Sequence, residues 1–301
     1  MAKPNANAEQ FLEEYKGALT TKQRSAILNG LELSERLESY AEQALGLRPD
    51  LVETKPHTVI WSPPGAGKTF TVRNVANRAN LSYIKYHGKA TLNGFVMKMA
   101  VALHKDQTSP VIPVWIDDCD TFFSDERSLN FMKDVLDTDE GNITWDVNLT
   151  SQVASARKNG RDDLADALEY WNNGGVGIQI PMDRCRFIIT TNKKLASKRD
   201  INKKKINMHE HAVRDRTMWR GFDINSEEAW GWMASTMISN DVFADDGFSL
   251  TSFQMYQLLT TFHTNWDRLS ANSMRTVKDA GAMLYNNPRT FADEFEQNFL
   301  E

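Results

Sequence analysis

The sequence predicts an α/β fold in which a doubly wound parallel sheet is followed by a small all-helical domain. Two observations predict the sheet: short apolar runs alternate with stretches of helical period, and the run at 111–116 is continuously apolar, as in a strand covered on both faces. A third observation predicts the helical domain, because helix-capping patterns and helical apolar spacing recur from Asn225 onward.

The elements of the predicted sheet follow one another in a regular order. A strand leads through a glycine-rich loop into a helix, and further strands then alternate with helices. Strands are predicted at 57–61, 82–86, 111–116 and 186–192, and helices at 34–46, 70–80, 93–105 and 126–137. This alternation is typical of a parallel sheet with helices on both faces.

An insertion interrupts this alternation near residues 142–181. Two alternating runs, 142–147 and 175–182, can pair as the arms of a hairpin, with a helical stretch at 154–171 between them. The insertion precedes the strand at 186–192.

Three segments are therefore predicted. Residues 1–22, which begin with an Asn/Ala-rich stretch, are expected to be flexible. Residues 23–224 form the αβα core with its insertion, and residues 225–301 form the helical domain. In that domain, Asn225 with Glu228 matches a capping box, and Asn287 with Pro288 matches a helix start.

Composition excludes several classes of protein. No apolar run approaches the roughly 18 residues that cross a bilayer, and the first residues lack the pattern of a signal peptide. The two cysteines, Cys119 and Cys185, lack zinc-site spacing and are expected to be buried and reduced. We therefore expect a cytoplasmic protein with no membrane partner.

Charge is distributed unevenly along the chain. The net charge is −5, but residues 223–301 contain twelve acidic and four basic side chains. The stretch from Lys193 to Lys205 contains seven basic residues and one acidic residue. An acidic chain can bind nucleic acid through such a local patch, although lysine runs are also common in solvated loops.

The glycine-rich loop, from Ser62 to Thr69, matches the phosphate-binding (Walker A) pattern except that Ser62 replaces its first glycine. In such a loop backbone N–H groups surround the phosphates, the lysine reaches the β- and γ-phosphates, and the threonine hydroxyl takes a Mg²⁺ position. A chance Gly/Pro turn is the alternative, but the loop lies between a strand and a helix, as the motif requires. The expected nucleotide-binding residues are Pro64, Gly65, Ala66, Gly67, Lys68, Thr69 and Phe70.

Two acids follow the apolar strand at 111–116, at the place of a Walker B motif. Asp117 is expected to hold Mg²⁺, together with Thr69, and Asp118 to point toward the attacking water. Two acids after an apolar strand are by themselves weak evidence. Their position about fifty residues beyond a phosphate-binding loop favours the metal role.

With these two motifs the chain resembles the AAA+ superfamily of ATPases, and the resemblance extends from about Ser34 to the C-terminus. The sequence PPGAGKT is close to the form of the loop preferred in that family, and VWIDD occupies the place of its strand with two acids. The resemblance implies an αβα ATPase core with a helical lid domain and ATP and Mg²⁺ as ligands. It also implies a homo-oligomeric ring, for which a hexamer is one expected size.

The resemblance assigns the general base to the second acid, which is usually glutamate. Asp118 is one methylene shorter, so the rate of hydrolysis is in question more than nucleotide binding. Asp120 and Glu126 are the alternatives for this role.

The resemblance also implies three residues that respond to the γ-phosphate. Asn192, at the end of the strand at 186–192, corresponds to a residue that positions water, with Thr191 as the alternative. Arg275 corresponds to a second sensor in the helical lid, with Arg289 as the alternative.

Arg216 corresponds best to the third, an arginine finger donated to the ATP of the neighbouring subunit. A guanidinium suits this role because its fork of donors meets negative charge on the γ-phosphate. Arg214 and Arg220 are the alternatives for the finger. A surface arginine that only pairs with Asp215 or Glu210 is the interpretation without a catalytic role.

Two classes of macromolecular substrate are consistent with the sequence. The loop at 87–95 contains Lys89 where protein unfoldases of the family usually have an aromatic residue, and the insertion contains Arg157, Lys158 and Arg161. With the Lys193–Lys205 stretch, these bases favour DNA or DNA-bound protein complexes, as in replication, recombination or repair. A remodeller of a partner protein is the alternative.

A small-molecule or nucleotide kinase built on the same loop is a third and less favoured class, since it needs neither a helical lid nor an Arg-Asp-Arg segment. Residues 117–137 and the following Ile-Thr-Trp also resemble AAA+ ATPases encoded by tailed bacteriophages.

Overall fold

The computed structural model describes residues 5–48, 50, 55–137, 141–175, 177–240 and 242–301. The chain divides into two compact units, of which the first consists of Met1–Ser39, Pro63–Thr71 and Asp223–Glu301, and the second of Tyr40–Ser62 and Val72–Phe222. The second unit contains the strands. The grouping of 1–39 and 63–71 with the C-terminal helices was not foreseen by the predicted segments 1–22, 23–224 and 225–301.

Within the described residues, eight strands form two sheets. They are β1 (Thr58–Trp61), β2 (Ile84–His87), β3 (Ile112–Asp117), β4 (Asn142–Asp146), β5 (Asn172–Asn173), β6 (Gly177–Pro181), β7 (Cys185–Thr191) and β8 (Met218–Gly221). The larger sheet has the order β2-β3-β7-β1-β8, and every pairing in it is parallel. The predicted fold class, a parallel sheet with flanking helices and a C-terminal helical region, is confirmed.

Every residue of β3 is buried, which explains its continuous apolar sequence. Val114 and Ile116 share one core cluster with Phe95, Phe187 and Ile189. The edge strand β8 was not predicted. Its sequence, Met-Trp-Arg-Gly, is short and lacks an apolar run, so only its pairing with β1 reveals it.

Twelve α-helices lie in the described part of the chain. They are α1 (Asn5–Glu14), α2 (Thr21–Ala44), α3 (Lys68–Arg78), α4 (Leu92–Lys105), α5 (Glu126–Val135), α6 (Leu149–Lys158), α7 (Asp162–Tyr170), α8 (Lys205–Asp215), α9 (Ser226–Ser239), α10 (Ser252–Asn265), α11 (Met274–Asn286) and α12 (Phe291–Phe299). Within the described residues no helix is long and apolar enough to cross a membrane.

The insertion near 142–181 forms the smaller sheet, in which β4 and β6 pair antiparallel and β5 pairs antiparallel with β6. The helical stretch between β4 and β6 is divided into α6 and α7, whereas one continuous stretch was predicted. Gly160 has a φ of 67° between them, a left-handed conformation that ends a helix, and Asn159 caps α6.

The N-terminal segment differs from the expected flexible stretch. Residues 1–4 lie outside the described part, but α1 follows them, with Phe11 and Leu12 6% and 5% exposed. Tyr15 stacks on Tyr256 of α10, with ring centroids 4.7 Å apart. The helix is ordered by burial of its apolar face, which the Asn/Ala-rich composition of its start did not indicate.

Of the two helix starts predicted from capping patterns in the C-terminal region, that of α9 is correct and that of α12 is wrong. Asn225 and Glu228 form both bonds of a capping box at the start of α9, as the pattern predicts. Asn287 and Pro288 do not start α12, which begins at Phe291 after Thr290. Capping patterns specify a turn, and burial of Phe291 and Phe295 sets where the helix begins.

Helices α2 and α9 cross at glycines within the first unit. A Cβ atom on Gly231 would overlap the carbonyl of Ala26, and one on Gly30 would overlap the carbonyl of Gly231. The two backbones are therefore in contact, and only hydrogen fits at either position.

We expect Gly231→Ala to lower the free energy of unfolding by about 1–3 kcal/mol through this overlap. Alanine has the higher helix propensity by about 1 kcal/mol, so a net loss can come only from the crossing. Gly17→Ala is the control, because a Cβ there meets nothing within 4 Å. Denaturant unfolding measures both variants, and equal stabilities would contradict the close crossing.

Candidate active site

The carboxyl ends of four strands lie in register at one edge of the parallel sheet. His87 of β2 pairs with Asp117 of β3, and Asp117 pairs with Thr190 of β7. Thr191 then pairs with Trp61, the last residue of β1. The register brings the ends of β3 and β7 to the edge from which β1 enters the glycine-rich loop. Ligands of open parallel sheets bind beyond this edge.

The glycine-rich loop has the backbone that its motif requires. Gly65 and Gly67 have φ angles of 84° and 71°, in the left-handed region that favours glycine. Helix α3 begins at Lys68, so its amino end follows the loop directly. The Lys68 side chain is buried, and its Nζ donates to the carbonyl of Pro63 at 3.3 Å. Loop and helix together form an arrangement suited to an anion.

Trp232 of α9 lies against this loop, within the first unit. A Cβ on Gly67 would overlap the indole ring of Trp232, which is itself only 1% exposed. Glycine is therefore required at position 67 by space as well as by conformation. In the sequence, Trp232 is one of several aromatic residues of the helical domain that are predicted to lie in its core, and no local pattern distinguishes it from the others.

Asp117 is fully buried at the end of β3 and is held by three groups. The Thr190 hydroxyl donates to Oδ1 at 2.7 Å, and the Nζ of Lys85 lies 2.8 Å from Oδ2. Nδ1 of His87 lies 3.3 Å from the same oxygen. Trp115 Nε1 donates to the Thr190 hydroxyl at 3.0 Å, which orients that group. Asp117 thus belongs to a network that spans β2, β3 and β7.

Asp118 and Asn192 are brought together, as their predicted roles require. Asp118 has a φ of 49°, unusual for a residue other than glycine, and its N–H donates to the carbonyl of Thr190 at 3.0 Å. Asn192 Nδ2 donates to Oδ1 of Asp118 at 3.3 Å. The left-handed conformation directs Asp118 away from the course of the strand, and such backbone strain is common at functional sites.

The alternatives to these two residues are engaged elsewhere. The Thr191 hydroxyl donates to Oδ1 of Asp120 at 3.0 Å and accepts from the N–H of Lys193 at 2.9 Å. Glu126 pairs with Lys205 at 3.0 Å, and the hydrogen bond from Lys205 lowers the pKa of Glu126. These contacts favour Asp118 as the general base and Asn192 as the residue that positions the water.

We expect Asp118→Asn to keep nucleotide bound while hydrolysis falls by roughly 100-fold or more, the range for a lost general base. Asparagine also tolerates a left-handed φ, so the backbone turn should persist. Nucleotide affinity and phosphate release measure the two effects separately. Asp120→Asn is the matched control, and hydrolysis lost there but kept in Asp118→Asn would assign the base to Asp120.

The three candidate arginines have different surroundings. Arg216, which caps α8, donates from Nε and Nη2 to Oδ2 of Asp137 at 3.1 and 2.9 Å. The Arg214 guanidinium lies 4.6 Å from the ring of Trp219. Arg220 lies in β8, and its Nη2 donates to Gln43 at 3.0 Å. The contact between Arg216 and Asp137 was not predicted.

The candidates for the second sensor, Arg275 and Arg289, are both exposed. Arg275 lies in the first turn of α11, whose N-cap is Ser273. A Cβ on Gly65 would lie 2.7 Å from the carbonyl oxygen of Asn272, so the chain entering α11 contacts the glycine-rich loop. This contact, within the first unit, favours Arg275 over Arg289.

The basic residues proposed to contact a substrate are only partly available. Lys89, Lys158 and Arg161 are exposed, but Arg157 is bound to Asp166 and Glu169 of α7 at 3.1 and 2.9 Å. These ion pairs of Arg157 link α6 to α7.

The basic stretch from Lys193 to Lys205 also has acidic partners. Lys193 pairs with Glu210 at 2.9 Å, Lys203 with Asp200 at 2.6 Å, and Lys205 with Glu126 at 3.0 Å. These pairs neutralise part of the charge that the sequence suggested.

Both cysteines are free and buried, as predicted. Burial and the adjacent Asp117 raise the pKa of Cys119 to about 11. Burial raises the pKa of Cys185 to about 12. Both side chains are therefore thiols at neutral pH and act as small apolar groups.

A family model described as "ATPase family associated with various cellular activities (AAA)" matches residues 58–208, half of the chain. The matched segment contains the glycine-rich loop, Asp117, Asp118 and Asn192. The chain belongs to the AAA family. Members of this family bind ATP with Mg²⁺ and typically assemble into rings.

No curated protein matches the sequence. Among solved structures the chain is similar to "Structure of C. elegans PCH-2", with 11% sequence identity and a TM-score of 0.39 over 86% of this chain and 63% of that chain. The AAA chain described here thus spans less than two thirds of that structure. The likeness to phage-encoded ATPases stays a prediction.

The residues predicted to hold Mg²⁺ have suitable chemistry. The hydroxyl of Thr69 and the carboxylate of Asp117 are hard oxygen donors, the kind that Mg²⁺ prefers. Asp117 is buried at the end of β3, and the Thr190 hydroxyl holds its carboxylate by a hydrogen bond to Oδ1, so its position is defined. These side chains therefore fit the cation, which would neutralise phosphate charge when bound.

Proposed function

We propose that this AAA protein hydrolyses ATP, with Mg²⁺, between the subunits of an oligomeric ring. The observation that carries the proposal is the Asp118–Asn192 pair at the sheet edge where β1 enters the glycine-rich loop. Nucleotide binding alone would not need an acid held in a strained conformation beside an amide donor. An acid so placed can accept a proton from water while the amide orients that water.

The remaining residues have roles in binding. The loop from Pro64 to Phe70 supplies backbone N–H groups to the phosphates, and Lys68 supplies a cation. Thr69 and Asp117 hold Mg²⁺. Arg275, whose helix begins beside Gly65, reaches the phosphates from α11.

Arg216 completes the site of the neighbouring subunit. Its contact with Asp137 holds the guanidinium at the end of α8, where it is 35% exposed. An arginine finger must be exposed enough to meet a second subunit and fixed enough to meet a phosphate. The two hydrogen bonds to Oδ2 of Asp137 support the second requirement, and the 35% exposure supports the first.

The proposed work is on DNA or on DNA-bound protein complexes, as a motor or loader in replication, recombination or repair. Exposed Lys89, Lys158 and Arg161 support this proposal, since phosphates bind exposed cations. The ion pairs of Arg157, Lys193 and Lys205 support the second candidate, a remodeller of a partner protein, because they leave less basic surface.

The ATPase rate with single-stranded DNA, double-stranded DNA and denatured protein distinguishes these candidates. We expect DNA to raise the rate, and the rise to weaken with added salt as counterions compete. Stimulation by denatured protein alone would favour the remodeller. Phosphate transfer to a small acceptor, with no polymer effect, would favour a kinase.

A further inference from the structure

Lys85 places a positive charge against the buried carboxylate of Asp117. Its Nζ lies 2.8 Å from Oδ2, and the same ammonium lies 4.0 Å from the ring centroid of Trp115. In the pairing of β2 with β3, Lys85 is opposite Trp115, two residues before Asp117. The contact is therefore set by the register of two strands within one sheet.

The burial of Asp117 makes this contact energetically important. A fully buried carboxylate loses its hydration and is stable as an anion only when it is paired and hydrogen-bonded. The Thr190 hydroxyl donates a hydrogen bond to Oδ1, while Lys85 and His87 lie beside Oδ2. The His87 side chain is 65% exposed and carries charge only when protonated. The Lys85 ammonium is the closer of the two groups, at 2.8 Å from Oδ2 against 3.3 Å for Nδ1 of His87.

We propose that Lys85 is a positioning residue of the metal site, an internal counter-cation with which Mg²⁺ competes for Asp117. The inference rests on the proposed function, since it takes Asp117 to be the acid on the metal side. Without metal, Lys85 holds the carboxylate in place through the contact between Nζ and Oδ2. When Mg²⁺ arrives, two cations share one carboxylate, so Lys85 weakens the binding of the metal while keeping its site assembled.

A double-mutant cycle in nucleotide-free protein tests this role. Lys85→Met keeps a chain that can pack on Trp115 but removes the charge. Without Mg²⁺ it should lower Tm by about 5–10 °C, because the buried carboxylate loses its partner, and added Mg²⁺ should restore most of that loss. Lys85→Arg should behave like the parent protein.

The same cycle includes Asp117→Asn, which removes the carboxylate charge. In that background Lys85→Met should change Tm little, and Mg²⁺ should have no effect. A second measurement follows binding of ADP while Mg²⁺ is titrated. The Mg²⁺ concentration at half saturation should fall about tenfold in Lys85→Met and stay unchanged in Lys85→Arg.

Lys85→Met could lower Tm equally in the parent protein and in Asp117→Asn, with no response to Mg²⁺. This result would mean that Lys85 only packs on Trp115, and it would overturn the proposal. If Lys85→Met does not fold without Mg²⁺ but the double variant does, the proposal is supported. If neither folds, it is overturned. Failure of the parent protein to bind ATP would contradict the proposed function, while the nucleotide-free cycle would still decide the role of Lys85.

Discussion

Lys68→Ala is expected to abolish hydrolysis and to weaken ATP binding by roughly 100-fold, because the variant loses the cation placed on the β- and γ-phosphates. Lys68 is the first residue of α3, and alanine is a good helix former, so the helix should persist. ATP binding by calorimetry and phosphate release measure the two effects. Tm measured in parallel shows whether the fold is retained.

Lys16→Ala is the matched control for this experiment. Lys16 is also in the first unit, but it is 60% exposed and pairs with Glu13 on the surface. Its removal should leave binding and hydrolysis at the parent level. Undiminished turnover in Lys68→Ala, with the control also active, would contradict the assignment of the phosphate-binding loop.

A mixture of Arg216→Ala and Lys68→Ala is expected to recover activity that neither variant has alone. The first variant keeps its phosphate site but lacks the finger, and the second keeps the finger but lacks a working site. In a mixed ring some interfaces combine the intact site of one subunit with the finger of the next. For equal amounts and random assembly, about one quarter of the interfaces are complete, so up to about one quarter of the parent rate should return.

The contact between Arg216 and Asp137 requires a control, since Arg216→Ala also removes an intrachain ion pair. Asp137→Ala breaks the same pair but keeps the arginine, so it should retain more hydrolysis than Arg216→Ala. Light scattering shows whether the variants assemble together. A co-assembled mixture that stays inactive would exclude a finger acting between subunits at Arg216, and Arg214 and Arg220 would then be tested.

The fold class could be predicted because it depends on local patterns. The continuously apolar run at 111–116 and the alternation of strands with helices predict a parallel sheet. Strand β8 escaped prediction because a four-residue edge strand has no distinctive pattern, and its existence depends on pairing with β1.

The site was predicted unevenly for the same reason. The glycine-rich loop and the pair Asp117–Asp118 are contiguous motifs, so their chemistry can be recognised in the sequence. Trp232 lies 165 positions beyond Gly67, and its contact with that glycine has no signature along the chain. Arg157 was predicted to contact the substrate, but its guanidinium pairs with acidic residues of α7, among them Asp166 and Glu169, which follow it by 9 and 12 residues.

The sequence by itself determined the phosphate-binding loop, the two acids and the strand–helix order, because each depends on residues close together in the chain. Only the tertiary structure decided which charges face one another. Lys85 lies 32 residues before Asp117, and Asp137 lies 79 residues before Arg216. Strand register and helix packing bring these pairs within 3 Å. Because a buried charge is stable only with its partner, these distant contacts set the electrostatics of the site that the local motifs define.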